Sequence, residues 1–182
     1  MIRRIYTYPD QMLAQHARVV ENLDGSTVAL LDDLAETMYA APGIGLAATQ
    51  VGVPARAIAL DVPGEEGRPG TGLLKLVNPV IAEYDGTIVW EEGCLSVPDF
   101  TAPVERARRI LLRAWTPDQK EIEIEAEELL AVAIQHELDH LDGKLFLDRL
   151  SRLKRDLYRK RRRKLARQGK PSGSERSRPH LI

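Results

Sequence analysis

The segment Glu127 to Leu141, EELLAVAIQHELDHL, constrains this chain more than any other stretch. Its apolar residues fall on nearly every side of a helix, and the rest are good helix formers, so it reads as a helix buried in the protein. Within it stands His136-Glu137-Leu138-Asp139-His140. Two histidines four positions apart on a helix differ by about 40° in direction and ~6 Å in height, so both rings reach one point in space. Glu137 lies about 100° around from His136, within reach of a water at that point without being a ligand itself. A buried helix with two imidazoles and two carboxylates is costly unless something pairs them, and a bound metal ion does so.

A catalytic metal site takes three protein ligands and keeps a position open for water. After His140 the next glutamate is Glu175 and the next histidine His180, both close to the C-terminal end, while Asp142 and Asp148 lie too near the helix end to reach back. The third ligand is therefore sought upstream. The single cysteine, Cys94, sits in Trp90-Glu91-Glu92-Gly93-Cys94-Leu95-Ser96. A lone cysteine is commonly a small buried hydrophobe, but the glycine before it and the polar residues around it speak for close approach to another group. Beside a two-histidine site that lacks a third ligand, Cys94 is the favoured candidate.

The remainder of the chain reads as strands around this helix. An amphipathic helix is predicted over Ser26–Ala40, with Leu30, Leu31, Leu34 and Met38 on one face, Ser26 as its N-cap, and Pro42-Gly43 ending it. Gly43 to Pro54 reads as a tight turn entering an extended segment. Strands are predicted at Arg56–Asp61, Leu73–Val77, Thr87–Trp90, Arg109–Trp115 and Glu121–Ile124, with Gly64–Gly72 a loop and Pro117-Asp118 a turn. Gly143 stands where a C-terminal cap glycine belongs. Leu150–Gln168 is a second, basic helix, and the residues after it are composed like a disordered end. The expected fold is α+β: antiparallel or mixed β-sheets packed around the central HExxH helix, with a C-terminal basic helix. Residues 1–150 are expected to form the catalytic domain, 151–168 a helix of the same domain, and 169–182 a disordered tail.

With 182 residues, 43% hydrophobic and 29% charged, the composition is that of one globular domain and excludes a fibrous or wholly disordered chain. No apolar run approaches the ~20 residues needed to span a bilayer, and MIRRIYTYPDQM has no secretory pattern. One cysteine allows no internal disulfide, which fits a cytoplasmic location. The net charge of −1 conceals an asymmetry: 13 of the 26 basic and two of the 27 acidic residues lie in 151–182, giving +11 there and −12 in residues 1–150.

Three blocks together resemble the peptide deformylase family in sequence, order and spacing. They are Gly43-Ile44-Gly45-Leu46-Ala47-Ala48-Thr49-Gln50, then Glu92-Gly93-Cys94-Leu95-Ser96, then Gln135-His136-Glu137-Leu138-Asp139-His140. The resemblance implies removal of the formyl group from the N-terminal formyl-methionine of newly made proteins, releasing formate. It implies Cys94, His136 and His140 as metal ligands, a hydroxide generated on the metal as nucleophile, and Glu137 as the general base that later returns the proton to the leaving nitrogen. Gln50 and the backbone N–H of Leu95 are implied as donors to the oxyanion. Ile44, Gly45 and Gly93 are implied along the substrate backbone, and the methionine pocket maps onto Ile44, Leu129, Val132, Ala133 and the His136 ring. For each aliphatic residue of that pocket, ordinary core packing is the plainer reading. Glycines at 43 and 45 are expected to let an extended peptide approach and pair like an added strand.

Zn²⁺ is the default metal for cysteine–histidine chemistry, but the resemblance implies Fe²⁺ as the native ion, with Ni²⁺, Co²⁺ or Zn²⁺ as substitutes. Thr101 stands where some members carry arginine, and Pro42 where some carry an acid. The run Arg159–Lys164 is expected to dock at the ribosome, as C-terminal helices of bacterial members do, through contacts with RNA that weaken with salt. The expected partners are N-formyl-Met peptides and the ribosome, with neither membrane nor DNA. A nucleic-acid-binding module with a structural metal is a second reading, but a closed structural site wants a fourth ligand, for which the sequence offers no histidine or cysteine. A general endopeptidase is disfavoured by the missing downstream ligand.

Overall fold

The computed structural model describes residues 1–64 and 69–167. The proposed tail, 169–182, lies outside the described residues. Helix α1 (Gly25–Ala40) buries Leu30, Leu31, Leu34 and Met38 as their spacing predicts. Its N-cap is Asp24 rather than Ser26: the Asp24 carboxylate accepts from the backbone of Ser26 and Thr27 and from the Ser26 hydroxyl. Both residues are good caps, and an aspartate two positions upstream outcompetes the serine because its carboxylate reaches both free N–H groups.

Next come strands β1 (Gly45–Ala47) and β2 (Ala57–Leu60), then β3 (Leu74–Asp85), β4 (Ile88–Cys94), β5 (Val97–Arg106), β6 (Arg109–Trp115) and β7 (Glu121–Glu127). Helices α2 (Glu128–Leu141) and α3 (Arg152–Arg167) follow. A turn at Ala41–Pro42 and a bend at Ile44 lead into β1 as expected, and a 3-10 turn, Ala48–Val51, then interrupts the extended segment. Strand β3 runs well past Val77 because register shifts between Val77 and Val80, and between Ile81 and Glu83, absorb Pro79 into its ladder with β6. Strand β4 likewise runs on to Cys94, which puts the cysteine at the end of a strand.

Five strands form one antiparallel sheet in the order β1-β2-β3-β6-β7, and β4 and β5 form a separate antiparallel hairpin. Helix α2 packs on the larger sheet through Ala131, Val132, Ala133, Ile134 and Leu141, which share a core with Ile58, Leu60, Ile110 and Leu112. The observed class is thus the expected α+β arrangement around α2. The helix ends at Leu141, and the chain turns away through Gly143, at φ 67°, where an added Cβ would lie 2.7 Å from the carbonyl oxygen of Ala14. Both the left-handed backbone and the lack of space require glycine there. Among the described residues no helix is long and apolar enough to cross a membrane.

Candidate metal centre and active site

Three segments far apart in sequence meet at one buried point. Helix α2 supplies His136 and His140, each 1% exposed, and β4 ends there with Cys94, also 1% exposed. Their ligand atoms all lie within 4.8 Å of one another, with Cys94 Sγ 3.2 Å from His140 Nε2. The thiol is held in place by a shift of register between Gly93 and Cys94 and by the backbone N–H of Ser96, 3.4 Å from the sulfur. Thr49 ties the 3-10 turn to α2 by donating to the carbonyl oxygen of His140 at 2.9 Å.

The protein orients His136 from behind. Its Nδ1 lies 2.8 Å from Oε2 of Glu92, which leaves Nε2 facing the cysteine and the other histidine. That Nε2 is buried and has no hydrogen-bond partner among the described residues. A buried ring nitrogen aimed at a thiol and a second imidazole is what a divalent cation needs, and a carboxylate behind the histidine is the usual means of fixing the ligand nitrogen. The donor set therefore fits a metal ion.

Glu137 is fully buried, and among the described residues neither carboxylate oxygen has a hydrogen-bond partner. Burial, reinforced by the charge of Glu92, pushes its carboxyl well above the ordinary range. Burial likewise pushes the Cys94 thiol up, while burial and His136 push His140 well down. By itself the pocket disfavours charge on each of these groups, and a cation bound among them inverts that balance. Space for Glu137 comes from Gly45, where an added Cβ would lie 2.4 Å from Oε1 of Glu137. The absent side chain thus makes room for the carboxylate, not only for a peptide.

Gln50 is held at both ends of its amide. Its Oε1 accepts from the Ala47 N–H at 2.8 Å, while Nε2 donates to the Ser96 hydroxyl at 3.1 Å and lies 3.7 Å from the Cys94 sulfur. Leu95 is half-buried, its side chain over Gly43, where a Cβ would meet Leu95 Cδ1 at 2.8 Å. Gly93 is buried opposite Thr101 in the hairpin, and Thr101 donates to Glu91 at 2.7 Å. Ile44, Leu129, Val132 and Ala133 belong to one core cluster. Ile44 and Leu129 retain 8% exposure, whereas Val132 and Ala133 retain none. Strand β1 is an edge strand, so one side of it has no ladder partner among the described residues.

Spacing alone missed the polar network behind the ligands. Arg106, with a side chain 0% exposed, is bidentate to Glu92 at 2.6 and 2.9 Å and donates to Asp139 at 2.6 Å. Asp139 also accepts two bonds from Arg149 at 2.6 and 2.7 Å. The cost of burying Asp139 in an apolar helix signals that some cation lies opposite it, but no spacing rule says which arginine.

This fold and site define a metal-dependent hydrolase: three buried ligands and an unpartnered carboxylate beside them. The sequence matches the family model described as polypeptide deformylase over residues 2–156. It is 49% identical over 160 residues to a peptide deformylase of Syntrophobacter fumaroxidans, covering 88% of this chain and 93% of the relative. The crystal structure of a peptide deformylase from Legionella pneumophila superposes with a TM-score of 0.84 at 42% identity, covering 94% of this chain and all of that one. A Met-Ala-Ser-bound class I type b enzyme from Acinetobacter baumannii gives 0.77 at 30% identity, covering 82% of this chain and 99% of that one. The chain belongs to the polypeptide deformylase family, metalloenzymes that remove the formyl group from N-formylmethionine peptides.

Proposed function

We propose that Glu137 moves the proton in this deformylation, with Cys94, His136 and His140 holding a divalent ion, Fe²⁺ in the native protein and Ni²⁺, Co²⁺ or Zn²⁺ as substitutes. The observation that carries this reading is the buried, unpartnered Glu137 carboxylate beside the three clustered donors. Thiolate with two imidazoles suits all four ions. An ion bound there lowers the pKa of water and polarises the formyl carbonyl. Glu137 takes a proton from the attacking water as its oxygen adds to the formyl carbon. When the C–N bond breaks, Glu137 returns that proton to the departing amine nitrogen, leaving formate. A buried carboxyl with no fixed hydrogen-bond partner among the described residues is free to take a proton and to return it.

Gln50 Nε2 and the Leu95 N–H donate to the oxygen of the tetrahedral carbon, each such donor being worth about 10²–10³ in rate. The anchoring of Gln50 by Ala47 and Ser96 supports this role, because an amide already held in place loses little freedom in the reaction. Substrate backbone runs along Ile44, Gly45 and Gly93, with the open edge of β1 available for strand addition. Ile44, Leu129, Val132 and Ala133 accept the methionine side chain. Residues 1–150 form the catalytic domain. Helix α3, with Arg159, Lys160, Arg161 and Lys164 exposed, docks at the ribosome in the cytoplasm, where substrate emerges.

The test is formate release from formyl-Met-Ala-Ser by protein purified without oxygen and assayed for metal, beside the acetylated peptide. Formate from the first alone, with about one iron per chain, is expected. No formate from metal-loaded protein would overturn the reading. Co-sedimentation with ribosomes that does not weaken with salt, or that survives deletion of 155–182, would overturn the docking role.

A further inference from the structure

A line of alternating charges runs from the metal centre to the surface. Beginning at His136 Nδ1, it passes through Glu92, Arg106 and Asp139 to Arg149, and each link is 2.6–2.9 Å long. Glu92 and Arg106 have no exposed side-chain surface and Asp139 has 8%, whereas Arg149 is 43% exposed. The line pairs two carboxylates with two guanidinium groups. Removing Arg149 leaves the single guanidinium of Arg106 to serve both buried carboxylates. Asp139 then draws on Arg106 in competition with Glu92, the group that holds His136.

The 3-10 turn Phe146–Arg149 touches the same ligand from a second side. Phe146 at its start is nearly fully buried, and its ring stacks on His136 with centroids 6.1 Å apart at 28°. One short turn thus meets His136 through a ring at one end and through the charge line at the other. We infer that Arg149 is a positioning residue for His136, acting through Asp139, Arg106 and Glu92. This rests on the reading of Cys94, His136 and His140 as metal ligands. Direct partners of ligating histidines are worth about 10–100-fold in metal affinity, and a residue three links further out commands less, about three- to tenfold.

The experiment uses full-length, cobalt-loaded protein and follows cobalt transfer to a chromophoric chelator in excess, together with the visible and thiolate-to-cobalt absorption bands. Wild type must show the thiolate band at one cobalt per chain; its absence would overturn the ligand reading and this inference with it. With the band present, R149M should release cobalt about three to ten times faster and shift the visible bands, while R149K stays within about twofold of wild type. Release from R149M at the wild-type rate with unshifted bands would overturn the inference while leaving the ligands intact. E92Q alone should release about 10–100 times faster, and R149M added to it should contribute almost nothing. Multiplication of the two effects would show that Arg149 acts by another route and would likewise overturn it. Should R149M fail to fold, R149Q replaces it in both comparisons with the same expected directions. An arginine that merely anchors the turn would lower the unfolding temperature without moving the bands or coupling to Glu92.

Discussion

A methyl group at position 45 would fall 2.4 Å from Oε1 of Glu137 and 3.0 Å from Cδ2 of Leu60. In Gly45→Ala the carboxylate must swing away or β1 must retreat. Turnover is therefore expected to fall toward the level of Glu137→Gln, a loss of about 10²–10⁴-fold, with metal content unchanged in both variants. Steady-state formate release and metal analysis check this pair, and full activity in Gly45→Ala would mean the carboxylate has other room. At this scale the clustering of Cys94, His136 and His140 was legible, because helical periodicity fixes what four residues of separation means and a single cysteine leaves little choice. The supporting residues were not. Arg106 reaches Glu92 across 14 positions and Asp139 across 33, distances that only the folded sheet brings together. Gly45 was legible as a glycine needed for close approach, but the group approaching it was not.

Among the described residues, α3 buries one side chain, Tyr158, while Arg159 and Arg162 donate to Tyr8. Tyr158 is 1% exposed and packs on Phe100 and Tyr8, with ring centroids 4.8 and 5.6 Å away. Among the described residues its buried hydroxyl has no hydrogen-bond partner. Tyr158→Phe is expected to be neutral or slightly stabilising, since it deletes an unsatisfied polar group and keeps the ring. Tyr158→Ala is expected to cost about 3–5 kcal/mol. Thermal or denaturant unfolding checks both, and a clear loss on Tyr158→Phe would reveal a partner for the hydroxyl. Helical elements were the more readable ones, since caps, glycines and periodicity mark them locally. Strand β5, Val97–Arg106, was unreadable because Pro98, Asp99 and Pro103 look like loop chemistry. A two-stranded hairpin has a free edge on each strand, so prolines that would break a central strand are tolerated there.

The molecule as a whole carries its buried charges as a liability in acid. Burial raises the carboxyls of Glu92 and Asp139, but Arg106, with His136 at the first and Arg149 at the second, more than offsets this and holds both below their ordinary values of 4.5 and 3.8. Carboxyls depressed in the folded state stabilise it fully above those ordinary values, and the contribution is lost as pH falls through the folded ones. Unfolding temperature is thus expected to hold down to about pH 5 and drop steeply below about pH 4; a flat profile to pH 3 would show that the network is not ionised as drawn. The acidic body and basic end were plain from composition, whereas the inward charges were not, since counting does not say which residues face the core. The separation of β4 and β5 from the five-stranded sheet has a mechanical consequence. Among the described residues the two sheets share no ladder, and Cys94 lies on the hairpin while both histidines lie on α2. A bound ion would then be a further tie between hairpin and helix, beside the Glu92–His136 and Arg106–Asp139 contacts. Chelation should accelerate hydrogen exchange at the amides of Ile88–Arg106 while β2, β3 and β6 keep their protection. Without the ion, the hairpin is held to α2 by side chains such as Glu92 and Arg106 rather than by a metal bond.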